Sequence, residues 1–150
     1  MKYWYGLLWM LCALIGSRSA AEVSNCWSGA GSRYNINPWL LYAIAEKESS
    51  LNPLALNARS ENDEDIGLMQ INTFWLPHLS TVGIKRSDLF DGCTSIYVGA
   101  WVLAQSISSF GNTWEAVGAY NVGTSKEPWA YIARRNYATD VYYRYSRLIK

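Results

Sequence analysis

The chain has 150 residues, enough for one domain with a sizeable core; half of them are apolar and 17% charged, which excludes an intrinsically disordered chain. Net charge is +1, and it becomes −1 once the first 21 residues, with Lys2 and Arg18, are set aside, so there is no electrostatic case for binding nucleic acid or an anionic membrane surface. Eight Trp and eleven Tyr against three Phe suggest rings that pack and also offer a polar edge, as in a groove for sugars or peptides, although abundant core aromatics would give the same count.

Met1-Lys2 gives a short positive start, and Tyr3 to Ile15 is an apolar run too short to span a bilayer comfortably. Ser19-Ala20-Ala21 then supplies the small residues at which signal peptidase cuts. The expectation is a signal peptide over 1–21, cut after Ala21 (Ser19 and Ala20 are alternatives), and a mature domain over 22–150 exported to the periplasm. An uncleaved membrane anchor is the competing reading. Leu11 is too large to precede a lipidated cysteine, so Cys12 does not signal a lipoprotein. Cys26 and Cys93 remain after cleavage, and two cysteines in an exported domain read as one disulfide, against two independent thiols. The bridge would close a loop of roughly 70 residues, worth roughly 4 kcal/mol in the chain-entropy model. Neither cysteine sits in a CxxC pair and His78 is the sole histidine, so neither a metal site nor a cofactor is expected.

No linker, repeat or low-complexity tract interrupts residues 22–150. Asn37-Pro38 reads as a helix N-cap and first-turn proline. Leu41, Ile44, Ala45 and Glu48 follow on one face, with Glu46 and Lys47 pointing away, and the helix ends near Ser49-Ser50 before Asn52-Pro53. Residues 54–66 are polar, with Glu61, Asp63, Glu64 and Asp65 clustered, and read as a loop or short irregular hairpin. A helix is expected from about Thr94 to Phe110, with Ile96, Ala100, Leu103 and Ile107 inward and Gly111 stopping it. Asn112 with Glu115 resembles a capping box for a short helix through Ala119. A final helix carries Tyr137, Val141, Tyr145 and Leu148. The one candidate strand lies around Gly67 to Ile71, so the fold class is mostly α.

Glu48 shares its helix face with Leu41 and Ile44, where burying a carboxylate without a partner is costly. Desolvation raises the pKa of such an acid and makes it a proton donor near neutral pH. The bland alternatives are an Arg partner or water at the helix end. Asp65, in acidic and polar surroundings, reads as a solvated, ionised acid. One apolar-sited Glu and one polar-sited Asp form the arrangement that divides two carboxylates into acid and stabilising base for glycoside cleavage. A charged loop or a loose cation site would account for the same acidic run.

The segment AIAEKESSLNPLALNARSENDEDIGLMQIN over 43–72, with its Glu-Ser pair and Gly-Leu-Met-Gln block, and Ala-Tyr-Asn at 119–121 stand in a telling order. With these blocks the chain resembles the lysozyme-like lytic transglycosylases, the Slt-type catalytic domains, over roughly 24–148. It is most similar in kind to the small exported forms that accompany type III secretion, type IV pili and conjugation. The first two blocks also resemble animal-type lysozyme, including an Asp two residues before the Gly; many of the transglycosylases lack an acid matching Asp65. The resemblance implies an α+β lysozyme-like domain, mainly helical, with a small hairpin region around the active-site cleft. It assigns Glu48 as catalytic acid/base, and Ser49 to orienting substrate or holding the Glu48 rotamer. Gly67 would let backbone approach sugar, Met69 and Gln70 would wall the cleft, Tyr120 and Asn121 would fix an N-acetyl group and hydroxyls, and Tyr137 would lie near the acid. Core packing is the plainer reading of Met69 and Tyr137, and His78 receives no role. The implied activity is cleavage of the β-1,4 bond between N-acetylmuramic acid and N-acetylglucosamine in peptidoglycan by a monomer serving a secretion or pilus component. Two alternatives stand beside it: hydrolysis using Glu48 and Asp65, or an inactive glycan-binding assembly module.

Overall fold

The Asn37 side chain accepts a bond from the Trp39 N–H at 2.9 Å and Pro38 fills the first turn, so a helix starts where the sequence predicts one. In the computed structural model, which describes residues 20–60 and 62–150 (of 20–24 the backbone alone), this helix is α2 (Pro38–Ser49). Residues 1–19 of the expected signal segment, and Glu61, lie outside the described residues. Five further helices are α1 (Ala20–Tyr34), α3 (Leu76–Ser80), α4 (Gly92–Phe110), α5 (Trp114–Val122) and α6 (Pro128–Leu148), joined by 3-10 turns at Thr73–Trp75 and Arg86–Phe90. Among the described residues no helix is long and apolar enough to cross a membrane.

Helix α4 lies against α1 and α5, while α6 lies against α2 and α5. Leu41, Ile44, Ile66, Met69, Leu89, Ile96, Leu103 and Val141 are sealed between them, each contributing roughly 1.5–3 kcal/mol by leaving water. The expected bridge is present: Cys26 of α1 joins Cys93 at the start of α4, with 5.4 Å between their Cα atoms. The polar stretch forms a hairpin, β1 (Leu56–Ser60) with β2 (Asp63–Ile66), extended by β3 (Ile71–Asn72) in antiparallel order β1-β2-β3. Its register sets Asp65 opposite Asn57 on one side and Asn72 on the other.

Several expectations are corrected. Helix α1 has no counterpart in the sequence reading. The short fifth helix is capped by Thr113, whose side chain accepts from Ala116 N, not by Asn112, and it runs on to Val122. The strand expected around Gly67 to Ile71 begins only at Ile71, because Gly67 (φ +75°) and Gln70 (φ +48°) bend the chain into a turn. Glu46 and Lys47, away from the Leu41 and Ile44 face as read, fasten α2 to α6: Glu46 pairs with Arg144 and Arg147, and Lys47 with Asp140.

Candidate active site

A cavity of about 190 Å³ opens between the end of α2, the hairpin, α4 and the end of α5. Its charged and polar lining is Glu48, Arg59, Asp65, Gln70, Asn72 and Asn121, with Trp75 and Tyr120 as its rings.

Glu48 sits in the last turn of α2, one turn beyond the sealed Ile44 and Ala45, so the periodicity that faces them to the core also carries it inward. Burial pushes its carboxyl up to about 7 from an ordinary 4.5, with Asp65 adding to the rise. The Tyr137 hydroxyl, which donates to Glu48 Oε1, and the Lys47 charge pull the other way without offsetting the burial. Lys47 is itself drawn to Asp140, 2.5 Å from its Nζ. Among the described residues the hydrogen-bond partner of Glu48 is a phenol and not the arginine that would have made it a plain structural acid. Tyr137 is buried, which pushes its own hydroxyl well above the ordinary range and keeps it a donor.

The turn over 67–70 is held from three directions. Ser49 Oγ donates to the Leu68 carbonyl at 2.7 Å and accepts from Asn52 N at 3.1 Å, tying the end of α2 to the turn. Tyr120 donates to the Met69 carbonyl at 2.7 Å, and Ser95 Oγ accepts from Met69 N at 3.0 Å. Gln70 Nε2 donates to the Gly67 carbonyl at 2.9 Å, closing the turn on itself. These bonds hold Gln70 and Tyr120 at the cavity wall facing Glu48's helix end.

Asp65 shares the cavity with Glu48, but its surroundings are an ion pair rather than water. Arg59 Nη1 lies 2.9 Å from Asp65 Oδ2, and Arg59 Nη2 and Asn72 Nδ2 donate to Asp65 Oδ1 at 3.0 and 2.9 Å. The side chain is 16% exposed, so the expected solvated acid is replaced by a clamped one.

This cavity, with a neutral-range carboxyl and a second acid a short way across it, is matched by a family assignment. The transglycosylase SLT domain model covers residues 25–140. The chain belongs to that family. It is similar to Invasion protein IagB of Salmonella typhimurium, 41% identical over 126 residues that make up 83% of this chain and 78% of that protein. Protein IpgF of Shigella flexneri is 44% identical over 126 residues, 83% of this chain and 82% of the relative. X polypeptide of Escherichia coli is 38% identical over 140 residues, 92% and 83% respectively.

Within this SLT domain the residues singled out from the sequence divide into two groups. Glu48, Asp65, Gln70, Tyr120 and Asn121 converge on the cavity, and Tyr137 reaches it through Glu48. Met69 does not wall it: its side chain is fully buried and packs on Gly99, where an added Cβ would come within 2.6 Å of Met69 Cε. Its backbone alone serves the site, the carbonyl accepting from Tyr120 and the N–H donating to Ser95. Gly67 approaches protein rather than sugar, since a Cβ there would overlap the Leu89 carbonyl, and its positive φ would be strained for any other residue. Ser49 spends its hydroxyl on backbone, which makes it a brace for the turn. Arg59, Asn72 and Trp75 were missed. Asn72 lies within the segment 43–72 and Trp75 belongs to the aromatic surplus; Arg59 leaves no sequence signal, because its approach to Asp65 depends on the hairpin. Among the described residues no cluster of His, Cys, Asp and Glu could hold a metal ion.

Proposed function

We propose that this SLT-family protein is an exported lytic transglycosylase that cleaves the β-1,4 bond between N-acetylmuramic acid and N-acetylglucosamine of peptidoglycan. The observation that carries the reading is Glu48: a carboxyl at a cavity wall, hydrogen-bonded by a buried phenol and raised to about 7, holds a proton at neutral pH and can take one back. Because Tyr137 occupies Oε1, Oε2 is the oxygen that carries the proton. Glu48 gives it to the glycosidic oxygen as the bond to the muramyl C1 breaks. The developing positive charge lies in the cavity that Asp65 also lines. Glu48, now ionised, accepts the proton of the muramyl 6-hydroxyl, whose oxygen bonds to C1 and closes a 1,6-anhydro ring. Asn121 offers its amide to the sugars, while Gln70 and Tyr120, whose donors are spent on backbone carbonyls, offer acceptor oxygens.

Asp65 in the same cavity gives a second reading some footing: hydrolysis in which this acid stabilises or captures C1 and water completes the reaction. Release of soluble fragments from purified peptidoglycan by the wild type, beside Glu48→Gln, tests both. Clearing by the wild type alone supports a Glu48-dependent enzyme, whereas no clearing by either supports a glycan-binding assembly module.

The signal segment, cut after Ala21, would place a monomeric mature domain over 22–150 in the periplasm. There it would open the wall locally for a secretion apparatus or pilus. The likeness to a protein named for invasion supports service to such a machine over general wall turnover.

A further inference from the structure

Cleavage by Glu48 alone requires no cation in the cleft, yet β1 carries one there. Arg59 engages both oxygens of Asp65, at 2.9 and 3.0 Å, and also Asp63, through Nε at 2.9 Å and Nη2 at 3.1 Å. Asn72 bonds the same two acids from β3, at 2.8 Å to Asp63 and 2.9 Å to Asp65. Such charge-assisted contacts depend on the acid keeping its negative charge. A carboxylate that attacks a sugar carbon becomes a neutral ester, so attack by Asp65 would surrender most of what Arg59 holds. Two acids sharing one guanidinium still leave the hairpin a net negative charge, which stabilises a cation at C1 through space without a bond.

Resting on the reading above, we propose that Arg59 is a positioning residue that keeps Asp65 as a counterion and denies it the nucleophile's part, so that the muramyl 6-oxygen captures C1. In the favoured branch the bond from C1 to the leaving oxygen breaks and that oxygen takes the Glu48 proton. O6 then bonds to C1 and returns its proton to Glu48, so water is neither consumed nor released. In the suppressed branch an Asp65 oxygen bonds to C1. Water then displaces it, its oxygen staying on C1 and one proton passing to Glu48, which leaves a reducing end.

The test uses wild type, Arg59→Gln, Asp65→Asn and the double variant on purified peptidoglycan, with anhydro and reducing ends counted by mass spectrometry. Arg59 is half-exposed on a strand, so its replacement opens no core cavity. Wild type should yield anhydro ends in excess. Arg59→Gln should raise the ratio of reducing to anhydro ends about tenfold, equivalent to about 1.4 kcal/mol in relative barriers. The double variant should return to the wild-type ratio, since it lacks the Asp65 carboxylate that would attack C1, and Arg59→Lys, which keeps the charge, should lie between wild type and Arg59→Gln. A hairpin merely loosened by losing Arg59 slows both products together. An unchanged ratio from an active Arg59→Gln therefore overturns the proposal, as does an excess of reducing ends from wild type. Absence of any cleavage by wild type is a different failure: it removes the transglycosylase reading itself, and this proposal falls with it.

Discussion

Glu48 costs the fold stability at neutral pH, and the cost can be measured. Its carboxyl is held at about 7 in the folded protein against 4.5 for the ordinary group. At 1.36 kcal/mol per unit, that gap amounts to at most about 3 kcal/mol. The sign follows from proton counting. Below pH 4.5 folded and unfolded chains both hold the proton, so there is no penalty. Between 4.5 and 7 the folded chain holds a proton the unfolded one has lost, so stability falls as pH rises, and above 7 the full penalty persists. Glu48→Gln keeps an oxygen to accept from Tyr137 but cannot ionise. Urea unfolding of both proteins from pH 4 to pH 8 should give nearly equal stabilities at the acid end and an advantage for the variant that grows to about 3 kcal/mol at the alkaline end. The other acids titrate alike in both proteins and cancel in the difference. A difference that is flat with pH, or largest at pH 4, would refute the burial of Glu48 as described.

Other substitutions at the site should move the pH profile of cleavage in opposite directions. Activity needs protonated Glu48 and should decline as pH rises through about 7. Tyr137→Phe removes the bond that lowers the Glu48 pKa, so the alkaline limb should shift to higher pH; Asp65→Asn removes a charge that raises it, so the limb should shift to lower pH, with turnover falling about tenfold or more while glycan binding persists. Limbs that move together, or not at all, would contradict the electrostatics assigned here. Cys26→Ser should cost roughly 4 kcal/mol in urea unfolding, because the bridge spans 67 residues, and an unaltered midpoint would count against the bridge as a stabilising element. Gly67→Ala should destabilise by about 2 kcal/mol or more, through positive φ and overlap with Leu89, with normal stability refuting the close approach.

Much of the fold was legible where local chemistry and periodicity agree. Asn37 and Pro38 announce α2, and the spacing of Leu41, Ile44 and Glu48 places a carboxylate on the buried face before any contact is known. Helix α1 was not legible, because Ser24, Ser28, Gly29, Gly31 and Ser32 are poor helix formers. It is held by its surroundings: Cys26 is bridged to α4, and Gly29 leaves room for the Tyr97 ring. The cap of α5 turned on a choice between neighbours that are both good caps; Thr113 is the one in extended backbone with its oxygen on Ala116 N. At the site, Tyr137 came from the family likeness alone, since it reaches Glu48 across 89 residues of chain. The clamp on Asp65 could not be read in advance. It depends on a register that shifts between Ala58 and Ser60, and on β3 bringing Asn72 alongside.

The central claim is that Glu48 cleaves the glycan without water as acceptor. The measurement that bears on it most directly is digestion of purified peptidoglycan in water labelled with heavy oxygen, followed by mass spectrometry of the released ends for wild type and Glu48→Gln. Wild type should yield unlabelled 1,6-anhydro ends, and Glu48→Gln should cleave at least about 10²-fold more slowly under the same conditions. Labelled reducing ends as the main wild-type product, or a variant retaining most of the wild-type rate, would contradict it.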